Sequence, residues 1–166
     1  MDRLLELFAE IFETPDVDLA RRIQECARCA AAVGVPSTDL DEFARFVDET
    51  PAERLAELYR ARSSCIGQQL YGEGYGRSML LLELQKRYRR LGFEAGDEPL
   101  DHLSVLLRFL SECDDPAERA ELAREVLVPG LEAMIAGGAE EGPDSTAPFV
   151  PLLRALSAAV REQVGS

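Results

Sequence analysis

The chain has 166 residues, 46% of them hydrophobic, a length and composition suited to one domain built around one core. Its 18 Lys and Arg residues stand against 31 Asp and Glu, a formal charge of −13 that disfavours nucleic acid and anionic lipid as partners. The same field attracts a basic peptide or a basic protein surface, with an association rate that falls as salt rises.

The first residues, MDRLLELFAEIFE, place Leu4, Leu7, Phe8, Ile11 and Phe12 at helical spacing, with Asp2, Glu6 and Glu10 interspersed. This is a helix pattern and not a secretory signal. No apolar run approaches the roughly 18 to 20 residues of a membrane span, so a soluble cytoplasmic protein with no direct membrane insertion is expected. Its four cysteines, Cys26, Cys29, Cys65 and Cys113, are then expected to stay reduced.

Thr14-Pro15 marks a second helix start, with threonine as cap and proline at the first helical position. The same punctuation returns in TPAE (Thr50 to Glu53) and DPAE (Asp115 to Glu118), both with capping-box spacing, and again at Glu98-Pro99. Between these starts run DLARRIQECARCAAAV, STDLDEFARFVDE, RSMLLLELQKRYRRLGF, LDHLSVLLRFLSEC and AERAELAREVLVPGLEAMIAG, all with helical periodicity and none with strand alternation. The aperiodic stretch 137–148 predicts a mobile loop, followed by a C-terminal helix over 149–164. The expected architecture is all-α, a single compact bundle of about seven helices spanning 1–166. A monomer or weak homodimer is expected, since such bundles can exchange a terminal helix across a long loop.

Little here points to catalysis. His102 is the sole histidine, and on a helix the adjacent Asp101 projects about 100° away from it, so the pair makes a poor triad. Cys26 and Cys29 share a helical face and are weak candidates for a zinc site. On a continuous helix, however, His102 and Cys113 lie about 16 Å apart and cannot complete it together. Small buried hydrophobes in a helix interface are the commoner reading of such cysteines. The glycines at Gly72, Gly74 and Gly76 follow no strand and precede no lysine-serine pair, so they make a turn and not a phosphate cradle. In GDEPLDHLSVLLRFLSEC, Glu98 and Asp101 suit the positive end of a helix dipole, Pro99 sets the backbone, and His102 can cap or fill a polar niche.

Glu98-Pro99-Leu100-Asp101-His102 resembles the acid-Pro-x-Asp-His signature of the NarJ/TorD/DmsD group, cytoplasmic chaperones that assemble molybdenum-cofactor oxidoreductases. Tyr71-Gly72-Glu73 followed by Arg77, Ser78 and Met79 resembles the turn and helix start of the nitrate reductase (NarJ) branch, which makes Gly72, Glu73 and Arg77 structural turn residues. ERLAELY, from Glu53 to Tyr59, is similar to the group's Glu-x-Tyr-x-x-Leu-Phe motif, with Leu55 in place of its tyrosine and Tyr59 in place of its phenylalanine. The overlap is best from Thr50 to Cys113.

The resemblance implies a non-enzymatic helical chaperone that binds the N-terminal segment of a molybdoenzyme catalytic subunit, respiratory nitrate reductase first. It would hold that client for insertion of a molybdopterin guanine dinucleotide cofactor, itself binding no cofactor stably. The implied client-peptide site is a groove of Leu55, Leu58 and Tyr59 with Glu98, Pro99, Asp101 and His102 at its rim. Glu98 and Asp101 would meet basic client residues. The alternatives are a helical interaction domain with another client, or a small zinc protein using Cys26 and Cys29.

Overall fold

Helix α1, Asp2–Glu13, buries seven residues on its apolar side, Leu4, Leu5, Leu7, Phe8, Ala9, Ile11 and Phe12, and α7, Leu103–Glu112, lies along it. Helix α7 is buried almost all round, from Leu103 to Leu107 and from Phe109 to Ser111, as befits a central helix with neighbours on every side. The computed structural model describes residues 2–62, 64–72, 74–137 and 147–164. Glu73 of the expected turn and most of the expected 137–148 loop lie outside the described residues.

Around this pair the chain wraps α2 (Leu19–Ala32), α3 (Thr38–Glu49), α4 (Ala52–Ala61), α5 (Ile66–Tyr71) and α6 (Tyr75–Arg90). There follow α8 (Pro116–Leu122), a π turn (Ala123–Leu127), α9 (Val128–Gly137) and, after a 3-10 turn at Ala147–Phe149, α10 (Val150–Val164). Helix α2 packs on α1, α3 on α2, and α10 on both α3 and α9, while α5 joins α9 to α6. The buried apolar residues form one continuous cluster. Among the described residues there is no strand, only an isolated antiparallel bridge between Cys65 and His102, and no helix long and apolar enough to cross a membrane. The fold is all-α, as the periodicity predicts.

With α8, the π turn and α9 taken as one continuous helix, the described residues hold nine helices, close to the seven or so expected. The short α5, six residues long, escapes periodicity because the Cys65–His102 bridge positions it. Gly72 and Gly74, at φ +66 and +131, then turn the chain from α5 into α6. The π turn ends two residues before Pro129, whose missing N–H removes a regular helical hydrogen bond and whose ring crowds the preceding turn.

The helix starts differ in detail. Asp115 caps α8 as expected, accepting from the amides of Ala117 and Glu118, with Pro116 at the first position. Thr50 instead closes α3, its hydroxyl donating to the Phe46 carbonyl at 2.6 Å, and Pro51 takes the capping position of α4. Helix α2 starts only at Leu19, because Asp16 first folds the chain through bonds from the Asp18 amide and the Arg22 guanidinium. Glu98-Pro99 begins no helix; it lies in a turn ahead of α7.

Helix α9 reaches α5 through a bare backbone. A Cβ on Gly130 would sit 2.4 Å from Cγ2 of the fully buried Ile66. On an open helix, Gly→Ala is expected to stabilise by about 1 kcal/mol; here Gly130→Ala is expected to destabilise by about 1 to 3 kcal/mol. Urea unfolding checks the sign, and Ile66→Ala in the Gly130→Ala background is expected to restore part of the loss.

Candidate functional site

Asp101 is wholly buried. Arg77, reaching back from the first turns of α6, grips its carboxylate with two bonds, Nε to Oδ2 at 3.0 Å and Nη2 to Oδ1 at 3.1 Å. The Gly67 amide adds a third at 3.0 Å. Main-chain bonds continue the clasp: the Ile66 amide donates to the Asp101 carbonyl at 2.9 Å, and the Leu103 amide to the Ser64 carbonyl at 2.7 Å. Gly67 is required by space, since a Cβ there would lie 2.6 Å from Asp101 Oδ2. The Tyr88 hydroxyl closes the other side on the Leu100 carbonyl at 2.7 Å, with its ring against Phe93 and Phe109.

The expectation that Asp101 meets basic client residues is therefore corrected. Its carboxylate is consumed inside the protein by Arg77, which acts here as a clamp and not only as part of a turn. The expected groove of Leu55, Leu58 and Tyr59 is corrected as well, because all three side chains are buried in the core. The Tyr59 hydroxyl donates to the Ile11 carbonyl at 2.8 Å, and its ring meets Phe149 edge-on. Burial also pushes the Tyr59 hydroxyl well above the usual phenol range.

The rest of the signature faces outward. His102 caps α7, its Nδ1 accepting from the Ser104 amide at 3.2 Å, while its Nε2 lies 3.9 Å from the exposed Glu98 carboxylate. Partial burial holds the imidazole below its ordinary pKa of 6.5, although Glu98 pulls the other way. Pro99 is exposed, and its carbonyl accepts from the His102 amide at 3.0 Å.

Glu98 and His102 line an open cleft of about 350 Å³ together with Glu13, Thr14, Ala95, Gly96, Asp97 and Arg108. Glu13 and Arg108 also line a neighbouring cleft of about 280 Å³ with Glu6, Ala9, Glu10, Ser111 and Glu112. The two form one furrow that runs along α1 and α7 to the 95–98 turn. Six carboxylates, of Glu6, Glu10, Glu13, Asp97, Glu98 and Glu112, border it; Arg108 pairs with Glu13 at 3.1 Å, and Arg3 and Arg22, from outside the furrow, pair with Glu6 and Glu10, so the acidic excess lies toward Asp97, Glu98 and Glu112.

Behind the cleft stands a residue that the sequence did not single out. Arg62 lies over the rings of Tyr59, Phe149 and Phe12, 4.5 Å from the first, and burial lowers its pKa to about 10. Its fields on His102 and Glu98 tie it to the site; Tyr59 lies one turn before it, but nothing in local spacing announces the distant rings of Phe12 and Phe149.

The cysteines carry little chemistry in this arrangement. Cys26 is buried, which pushes its thiol up, and Cys65 is pushed up to about 11, first by burial and then by the nearby Asp101. Among the described residues no cluster of three or more His, Cys, Asp or Glu side chains is disposed to hold a metal ion.

Compared with protein-family models and with curated proteins, the chain matches none.

Two outcomes follow from this geometry. Gly67→Ala is expected to cost about 1 to 3 kcal/mol in urea unfolding, because the new methyl must displace a buried carboxylate. Because the folded pKa of His102 lies below 6.5, the unfolded chain binds its proton first as pH falls. Its contribution to stability is complete above that value and is lost as pH drops through it toward the folded pKa. His102→Asn keeps a capping side chain, so unfolding curves at about pH 7.5 and about pH 5.5 should differ less in the variant than in the wild type.

Proposed function

We propose that the chain is a maturation chaperone of the NarJ/TorD/DmsD kind, which holds the basic N-terminal segment of a molybdoenzyme catalytic subunit until that client has its cofactor. The observation that carries this reading is the acidic furrow beside the signature, where Asp97 and Glu98 are exposed and His102 is held toward its neutral form. A client helix with arginines or lysines at its start can set them among these carboxylates. Charge steers the encounter and supplies the contacts that retain it. In this reading the site is not the Leu55, Leu58, Tyr59 wall but the face outside it. Those three residues belong to the core, where Tyr59 meets Phe149 and Arg62.

The chain acts in this reading by binding, and the molybdopterin guanine dinucleotide belongs to the client. Respiratory nitrate reductase is the first client to test, on the strength of the resemblance of Tyr71-Gly72-Glu73 and Arg77 to the nitrate reductase branch. A helical interaction domain for another basic partner would use the same furrow but show no preference for molybdoenzyme leaders.

The test is calorimetric titration of the full chain with a synthetic peptide of the first 20 or so residues of a nitrate reductase catalytic subunit. Micromolar or tighter binding is expected, weakening as salt rises from about 0.05 to about 0.5 M. The paired substitution Asp97→Asn with Glu98→Gln is expected to lower affinity by about tenfold. Affinity should also fall as pH drops through the folded pKa of His102, which lies below 6.5, because the protonated ring adds a positive charge beside the bound cation. No binding at either salt, or equal binding of a scrambled peptide of the same charge, would contradict the leader reading.

A further inference from the structure

Among the described residues, six large apolar side chains are left exposed, and four of them, Tyr71, Tyr75, Met79 and Leu82, fall together on α5 and α6. At 100° per residue, Tyr75, Met79, Leu82, Lys86 and Arg89 lie within an arc of about 80° on α6. The buried residues of that helix, Leu80, Leu84, Arg87 and Tyr88, lie on the other side. Helix α6 thus has two apolar faces, one spent on the core and one turned outward. Tyr71 widens the outer face at its start: Gly76 has no side chain, and a Cβ there would lie 3.0 Å from Cβ and Cγ of Tyr71.

The far end of the same face is basic. Arg87 and Arg90 are taken by Glu118, at 2.9 Å each, and Arg87 is also held by Glu83 and Glu121. Lys86 and Arg89 are exposed and make no ion pair among the described residues. In a chain of net charge −13 this end of α6 holds two cations without local compensation.

We propose that this face docks an amphipathic helix of another protein, antiparallel to α6, whose apolar stripe covers Tyr75, Met79 and Leu82 and whose first turn carries carboxylates that meet Lys86 and Arg89. The antiparallel sense follows from charge. Acids are favoured in the first turn of a helix, and only an antiparallel partner brings its first turn to the C-terminal end of α6. A contiguous exposed apolar patch next to unpaired charge is the usual mark of a protein contact. The overall charge of −13 opposes both an anionic bilayer and close approach of a second copy. None of these residues lines the furrow of α1 and α7, so this proposal and the leader reading stand or fall separately.

The test uses the full chain and two fluorescent synthetic helices of about five turns. Both carry the same leucine stripe at i, i+4 and i+7; one has glutamates in its first turn, the other lysines. Anisotropy is expected to show the acidic-start peptide binding roughly tenfold tighter. Met79→Asp with Leu82→Asp should abolish binding, and Lys86→Glu with Arg89→Glu should invert the preference. All four positions are exposed, and circular dichroism melting confirms that the variants fold. Equal affinity for the two peptides, absence of binding, or binding that survives Met79→Asp with Leu82→Asp overturns the proposal. So does a dimer that Met79→Asp dissolves, which assigns the face to a second copy. Co-sedimentation with phosphatidylglycerol vesicles that Lys86→Glu with Arg89→Glu removes overturns it as well, by assigning the face to a membrane.

Discussion

The buried ion pair between Asp101 and Arg77 is the constraint on which the signature region depends. A carboxylate with no exposure is tolerable only because three donors satisfy it, two from one guanidinium and one from the Gly67 amide. The guanidinium belongs to α6 and the amide to α5, so satisfying the charge also fixes α5 and α6 relative to the entry of α7. A hydrophobic replacement could fill the same volume, but it would not set the direction in which the chain enters α7. In this structure the polar clasp sets register.

From that fixed entry the outer residues take their places. With Asp101 pointing inward, the turn before it presents Glu98 and Pro99 to solvent, and His102 spends one nitrogen on the cap of α7 and turns the other toward Glu98. Helix α7 then lies along α1, and the carboxylates of both helices border a single furrow. The acid-Pro-x-Asp-His pattern thus divides its labour between one acid that holds the fold and one that faces outward.

Much of the fold was legible, because long helices announce themselves through spacing. The stripe of Leu4, Leu7, Phe8, Ile11 and Phe12, the cap at Asp115 and the glycine turn at Gly72 and Gly74 all stand as the sequence implies. The short α5 was not legible, since a bridge to His102 positions it and six residues carry no period. The signature was legible as the entry to α7 but not in the orientation of its side chains. Neighbouring acids at 98 and 101 look alike in sequence, and only the distant partners Gly67 and Arg77 decide which one is buried. Leu55, Leu58 and Tyr59 show the same limit: an apolar helical stripe facing a groove and one facing the core have identical spacing, and Phe149, ninety positions on from Tyr59, makes it core. The outward stripe of α6 was hidden because apolar residues on two faces blur the helical period.

The central claim is that Asp101 holds the fold while Glu98 faces the partner, and a paired measurement of melting temperature and leader-peptide affinity on Asp101→Asn and Glu98→Gln tests it most directly. The account predicts that Asp101→Asn lowers stability by about 3 kcal/mol, as expected on breaking a buried pair. Measured well below its melting temperature, that variant should retain its affinity. Glu98→Gln should melt with the wild type and bind several-fold more weakly. The reverse pattern, an Asp101→Asn variant that melts normally and has lost the peptide, would contradict the account.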